Sequence, residues 1–179
     1  MPDAIIGIQA RIGSSRLPGK VLYKLGKSNM NSIELMIHRI RSCCALKDTP
    51  IYLLTSSNPV DKALEFIADQ NSLHFRRGEE HDVLSRYSDL AKDVPSTNII
   101  RLTADCPFVS ADEISRLLYI HHFEDFDYTT NTFDGSPTPD GFDVEIFRSE
   151  SIITSDKLAV LPSEREHVTF HLAKSNLFS

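Results

Sequence analysis

The sequence contains no tryptophan, only three cysteines in 179 residues, and no apolar run of membrane-spanning length. The missing tryptophan excludes nothing. Cys43, Cys44 and Cys106 form no C-x-x-C pair and leave an odd thiol, which argues against a disulfide framework or a zinc site. Free thiols in a reducing cytoplasm are the expectation. Met1-Pro2-Asp3 has no basic region, and only a five-residue apolar stretch follows, so a secretory leader is not expected. Cations are outnumbered, 19 to 25, for a net charge of −6. That balance argues against a general nucleic-acid or anionic-membrane surface. No internal repeat, low-complexity tract or linker divides the chain, so one domain over residues 1–179 is expected.

Two familiar phosphate loops are also missing. A Walker loop needs four residues between its glycines, then Gly-Lys and a hydroxyl for magnesium. Here five residues separate Gly13 from Gly19, and Val21 follows Lys20. The fingerprint G-x-G-x-x-G fails as well, because Gly7 and Gly13 have no partners at those offsets.

What the chain does have is a concentration of charge in its first loop. The stretch Gln9-Ala10-Arg11-Ile12-Gly13-Ser14-Ser15-Arg16-Leu17-Pro18-Gly19-Lys20 follows the apolar run Ile5–Ile8. It sets three cations, two hydroxyls and two glycines within twelve residues. Glycines let a backbone turn its N–H groups toward a ligand, and arginine forks match phosphate oxygens two at a time. The stretch has the makings of a nucleoside triphosphate cradle, against the plainer alternative of a solvated turn.

Strand-like runs alternate with helix-period segments almost to the end. Strands are expected at Ala4–Gln9, Ile51–Thr55, Leu73–Phe75, Asn98–Thr103, Tyr128–Thr130 and Asp143–Phe147. Helical faces run through Ile33, Met36, Ile37 and Ile40; through Leu64, Ile67 and Ala68; and through Val83, Leu84, Tyr87, Leu90 and Ala91. A fourth runs through Ile114, Leu117, Leu118 and His121, opened by a capping box at Ser110 and Glu113. The same signature at Ser163 and Glu166 predicts a last helix containing Val168 and Leu172. The alternation predicts an α/β domain with a mainly parallel sheet and helices on both faces. The segment Asn131 to Gly141 stands out as a long irregular loop, more often functional than filler.

Ligands of such folds bind outside the carboxyl ends of the strands. Four segments are therefore expected to share one crevice: the cradle, Thr55-Ser56-Ser57-Asn58, Arg76-Arg77-Gly78 and Thr103-Ala104-Asp105-Cys106-Pro107. Asp105 could hold magnesium, or it could be a helix-entry aspartate stabilised by the following amides. Asp143 and Glu145 are expected on one side of a strand, where they would meet a metal, a sugar hydroxyl or a basic partner, or form a solvated edge. Glu166 reads as a helix cap, while Arg165 and His167 could bind an acidic sugar or line a dimer contact. Cys106 carries no mark of activation.

These residues together resemble the cytidylyltransferase family that makes CMP-activated acidic sugars, its spore-coat polysaccharide branch most of all. The matching stretches are Gln9-Ala10-Arg11 through Lys20, Thr55-Ser56 with Asn58-Pro59, Arg77-Gly78 with Asp82-Val83-Leu84 and Arg86-Tyr87, and Thr103 with Asp105-Cys106-Pro107. Pro139-Asp140-Gly141 with Asp143-Val144-Glu145 follows, then Pro162-Ser163-Glu164-Arg165-Glu166-His167-Val168-Thr169. The resemblance implies a Rossmann-like, three-layer nucleotidyltransferase fold, usually a dimer, acting on CTP and an acidic sugar with Mg2+. It implies that Arg11, Ser14, Arg16 and Lys20 engage the phosphates, with Gln9, Ala10, Gly13, Ser15, Thr55 and Ser56 in the nucleotide site and Arg77 and Asp82 near the nucleoside. Asp105 would be the metal ligand; Asp140, Gly141, Asp143, Glu145, Arg165 and His167 would face the sugar or the partner subunit.

Relatives usually continue past Glu-Arg-Glu-His into a final strand and a turn with another metal aspartate. This sequence stops at Ser179, so Asp143 or another carboxylate substitutes, or the metal site is incomplete. A non-catalytic nucleotide-binding homologue and a transferase using another nucleotide are the alternatives.

Overall fold

The computed structural model describes residues 3–14, 17–133 and 135–179. Its strands are β1 (Ala4–Gln9), β2 (Ile51–Ser56), β3 (His74–Gly78), β4 (Asn98–Thr103), β5 (Tyr128–Thr130) and β6 (Glu145–Arg148). They form one six-stranded sheet in the order β3-β2-β1-β4-β6-β5. The first four run parallel, and β6 pairs antiparallel with both β4 and β5. The helices are α1 (Ser32–Arg41), α2 (Ala63–Gln70), α3 (Val83–Asp93), α4 (Ala111–Phe123), α5 (Ser149–Leu158), α6 (Pro162–Glu166) and α7 (Phe170–Lys174). None is long and apolar enough to cross a membrane.

Alternation along β1 sends its side chains into two cores. Ile6 and Ile8 pack with Ile33, Met36, Leu64 and Leu117 of α1, α2 and α4. Ile5 packs on the other face with Leu84, Tyr87, Ile152 and Leu172 of α3, α5 and α7. Burial on both faces is what a parallel sheet requires, and it yields the expected three layers.

Some elements differ from expectation for local reasons. Arg76 and Arg77 lie inside β3, because pairing with β2 continues to Gly78 opposite Ser56. Asp143 lies outside β6: the Val144 N–H donates to the Asn131 side chain, and ladder pairing starts at Glu145. Asp143 and Glu145 thus do not share a strand face. The expected cap at Ser163 is displaced. Pro162 opens α6, and the Glu164 carboxylate accepts from the Val160 and Leu161 amides. Val168 falls between α6 and α7 with φ 34°, so the last helical region is two short helices. At α4 the expected cap is half made: Ser110 accepts from the Glu113 amide, while the Glu113 carboxylate turns to Arg116.

The topology decides where a ligand can sit. From β1 the chain steps outward through β2 and β3, then returns to place β4 on the other side of β1. Strand order reverses between β1 and β4, and the crevice of an open α/β sheet forms at such a switch.

Candidate active site

The cradle leaves the sheet at that switch point. The Ala10 amide donates to Leu54 O, and the Ile12 amide donates to the Asp61 carboxylate at 2.7 Å. Asp61 is 2% exposed and accepts a second, short hydrogen bond from the Ser56 hydroxyl. A buried carboxylate therefore anchors the loop from behind. Gly19, at φ 71°, donates to Ile12 O and starts a 3-10 turn over Lys20–Leu22 whose buried Val21 seats it on the core. The turn aims Lys20 across the switch, and its Nζ lies 2.5 Å from the Asp105 carboxylate at the end of β4.

A cleft of about 260 Å3 opens there, lined by Gln9, Ala10, Arg11, Ser14, Lys20 and Asp105 together with Val21, Val83, Arg86, Thr103, Ala104 and Glu166. Burial alone would raise the Asp105 carboxyl. The Lys20 ammonium and the hydrogen bonds of its own turn outweigh burial and hold it below the ordinary value. Asp105 is thus an ionised group in a site otherwise rich in cations. A second, more open cavity of about 440 Å3 shares Ser14, Lys20, Thr103 and Asp105 and continues to Leu17, Cys106, Asp140, Gly141 and Asp143. The Cys106 thiol is pushed up by burial, with Asp105 and Asp143 adding to the effect, so it is a packing group and not a nucleophile.

A model of the family "Cytidylyltransferase" matches residues 4–178. The chain belongs to the cytidylyltransferase family. The spore coat polysaccharide biosynthesis protein SpsF of Bacillus subtilis (strain 168) is 33% identical over 175 residues, 96% of this chain and 70% of that protein. A cytidylyltransferase of Leptospira borgpetersenii serovar Hardjo-bovis superposes with TM-score 0.88 at 29% identity, covering 98% of this chain and 72% of that one. CMP:2-keto-3-deoxy-manno-octonic acid synthetase complexed with CTP shares the fold, at TM-score 0.70 and 16% identity over 98% of this chain and 87% of its own. As a family member the chain is a CTP-dependent nucleotidyltransferase.

The geometry of this cytidylyltransferase gathers some of the expected residues and disperses others. Gln9, Ala10, Arg11, Ser14, Lys20 and Asp105 meet in the first cleft, and Asp140, Gly141 and Asp143 meet in the adjoining cavity. Ser15 and Arg16 lie outside the described residues. Gly13 is exposed on the loop and lines neither space. Thr55 and Ser56 are fully buried on β2, two strands from β4, and line neither space; Ser56 supports the loop through Asp61. Arg77 is tied to the Ser56 and Asn58 carbonyls at 3.0 and 2.8 Å on the edge strand, away from the cleft. Asp82 caps α3 by accepting from the Ser85 amide and also accepts both Nε and Nη2 of Arg165.

Arg165 is consequently an internal clamp between α3, α5 and α6, bonded to Asp82 and Asp156, and not a free cation for an acidic sugar. His167 ends α6 on the surface, its ring tilted against Phe170. Glu145 is absorbed too. It pairs with Arg101 across the sheet and accepts from the Tyr128 and Thr169 hydroxyls, and both ion-pair partners are 14% exposed. Three residues in or behind the site were not anticipated: Arg86, Glu166 as a cleft residue, and Asp61. Arg86 left a trace in the sequence, since it stands three residues after Val83 and four before Leu90, a charge on an apolar helical stripe. Asp61 left none, because the amide it anchors, that of Ile12, lies 49 residues away in the loop after β1.

Among the described residues no three His, Cys, Asp or Glu side chains come close enough together to enclose a metal. The donor set at the switch point, Asp105 with Asp143 near it, suits an ion that arrives on phosphate oxygens and takes one or two protein carboxylates, which is how magnesium is commonly held.

Proposed function

We propose that this cytidylyltransferase transfers CMP from CTP, with magnesium, to the anomeric hydroxyl of an acidic sugar, as one nucleotidyltransferase unit serving surface polysaccharide synthesis. The observation that carries the reading is the Lys20–Asp105 contact, which brings the cationic cradle and a lone strand-end carboxylate to the same switch point. The triphosphate lies in the first cleft against Arg11, Ser14 and Lys20, and Arg16 is assigned to the same cradle from its place in the sequence. The sugar lies in the adjoining cavity, where Asp140 and Asp143 accept hydrogen bonds from its hydroxyls. The sugar oxygen bonds to the α-phosphorus as the α–β anhydride breaks, pyrophosphate leaves, and the hydroxyl proton passes to solvent. The protein positions groups and neutralises charge, as in other phosphoryl transfers. Asp105 is the residue that would hold magnesium, which when bound supplies charge neutralisation on the phosphate oxygens. The acidic acceptor is supported by the fold shared with the octonic acid synthetase, and the polysaccharide role by likeness to SpsF.

The homodimer belongs to the same proposal. Leu158, Val160 and Leu161 form an exposed apolar run, with Val160 82% exposed, and are the surface a partner would cover. Light scattering tests it.

A thermal-shift panel of CTP, UTP, ATP and GTP with magnesium tests the nucleotide. At about 100-fold above its dissociation constant, CTP should stabilise by roughly 2.7 kcal/mol and the others by much less. Equal shifts with all four would sink the base assignment. Pyrophosphate release with a panel of 3-deoxy-ulosonic acids and neutral sugars then tests the acceptor. CTP binding without release on any acid would favour a non-catalytic nucleotide-binding homologue.

A further inference from the structure

Arg86 carries a charge that the described residues do not answer. It is 6% exposed, yet no carboxylate among them forms an ion pair with it. Its Nη2 donates to the Glu80 carbonyl at 2.9 Å, and its Nε is buried with no partner among the described residues. The two nearest acids are spent elsewhere: Asp61 on the Ile12 amide and Ser56, Asp82 on the Ser85 amide and Arg165. Burial depresses the guanidinium pKa and Arg11, a second cation of the same cleft, adds to it; Tyr87, Asp61 and Asp82 work against that without outweighing burial. Glu166, the remaining acid of the cleft, is exposed and makes no hydrogen bond to Arg86.

The backbone is shaped to bring this group in. At Gly78, the last residue of β3, an added Cβ would lie 2.6 Å from Arg86 Cγ. Without that side chain the arginine stem crosses the end of β3, and Arg86 lines both the main cleft and a smaller cavity of about 120 Å3 that it shares with Arg76, Arg77 and Gly78. A tether to the Glu80 carbonyl needs only one neutral donor. A buried cation with no ion pair among the described residues is strongly unfavourable, and its persistence beside a second cation points to an anion from outside.

We propose that Arg86 binds the polyphosphate of the ligand, closing the cleft from the α3 side as Arg11 and Lys20 do from the loop. The inference rests on the reading of the cleft as a nucleotide site, and the polyphosphate is that of a bound nucleoside triphosphate or of pyrophosphate. The test uses Arg86→Met, which keeps the stem and removes the charge. CTP, CMP and pyrophosphate, each with magnesium, are titrated against both proteins by calorimetry, and the ligand-free proteins are unfolded in urea.

Ligand-free stability should be unchanged or higher in the variant, while CTP and pyrophosphate each bind at least about tenfold more weakly. CMP reports whether the α-phosphate is also touched. A variant with wild-type affinity for CTP and pyrophosphate overturns the proposal, whatever its stability. Should Arg86→Met not fold, Arg86→Lys and Arg86→Gln replace it: lysine must bind pyrophosphate several-fold more tightly than glutamine, and equal affinities overturn the proposal. Wild-type protein that binds pyrophosphate but not CTP refutes the nucleotide reading and leaves Arg86 testable on pyrophosphate alone. Wild-type protein that binds neither refutes both.

Discussion

Lys20 and Asp105 satisfy one another, each side chain about a third to a half exposed, at 32% and 45%. An exposed pair of this kind adds little to stability. Under the proposed function its value is positional: a polyphosphate would draw the ammonium away and leave the carboxylate to a metal. Asp105→Asn should therefore lower turnover by about 100-fold or more, roughly 2.7 kcal/mol of barrier, with the melting temperature unchanged. A wild-type rate in that variant would remove Asp105 from the mechanism. Because Lys20 holds the Asp105 carboxyl below its ordinary value, the acid stays ionised as pH falls. In Lys20→Met it should protonate at higher pH, shifting the acid limb of the pH–rate profile upward.

At the scale of elements, α6 matters because it brings Glu166 to the cleft, yet it is five residues long with no buried side chain. Helices that short do not persist alone. Arg165 supplies what α6 lacks, reaching Asp82 at the start of α3 and the Asp156 carboxylate and carbonyl of α5. All three charged side chains are at most 25% exposed, so removing the cation leaves two half-buried acids facing each other. Arg165→Met should cost about 1–3 kcal/mol in urea unfolding. It should also speed amide hydrogen exchange in α6 and α7 before other helices; unchanged exchange there would show that α6 is held by something else. The α5 helix that completes this corner was not foreseen. Its buried face is Ser149, Ser151, Ile152 and Ser155, so it carries no apolar stripe to detect.

At the scale of the molecule, acid stability should turn on His121, which ties α4 to the antiparallel edge of the sheet. It is 1% exposed, with Nδ1 on the Thr129 hydroxyl and Nε2 on the Asn98 side chain. Burial, helped by Arg148 and His122 and opposed by Asp127 and Asp125, pushes its pKa down from 6.5 to about 4. The unfolded chain binds the proton first, so stability holds above about pH 6.5 and falls by about 3 kcal/mol on the way down to pH 4. Urea midpoints across that range check it. In His121→Gln the same range should be nearly flat, and an unchanged slope would assign the acid sensitivity to other groups.

Hydrophobic period and strand-end chemistry were legible in the residues themselves. The bounds of β1, β4 and β5 coincide with the expected ones, and Asp105 and the charged first loop stand out by sequence position alone, because these features depend on near neighbours along the chain. Which strand ends meet depended on the sheet order. Only the return of β4 to the side of β1 puts Asp105 against Lys20 and leaves Thr55, Ser56 and Arg77 behind. The partners of Asp82, Glu145 and Arg86 were likewise settled in three dimensions. Asp82 is consumed by an arginine 83 residues away, and no local pattern encodes that distance.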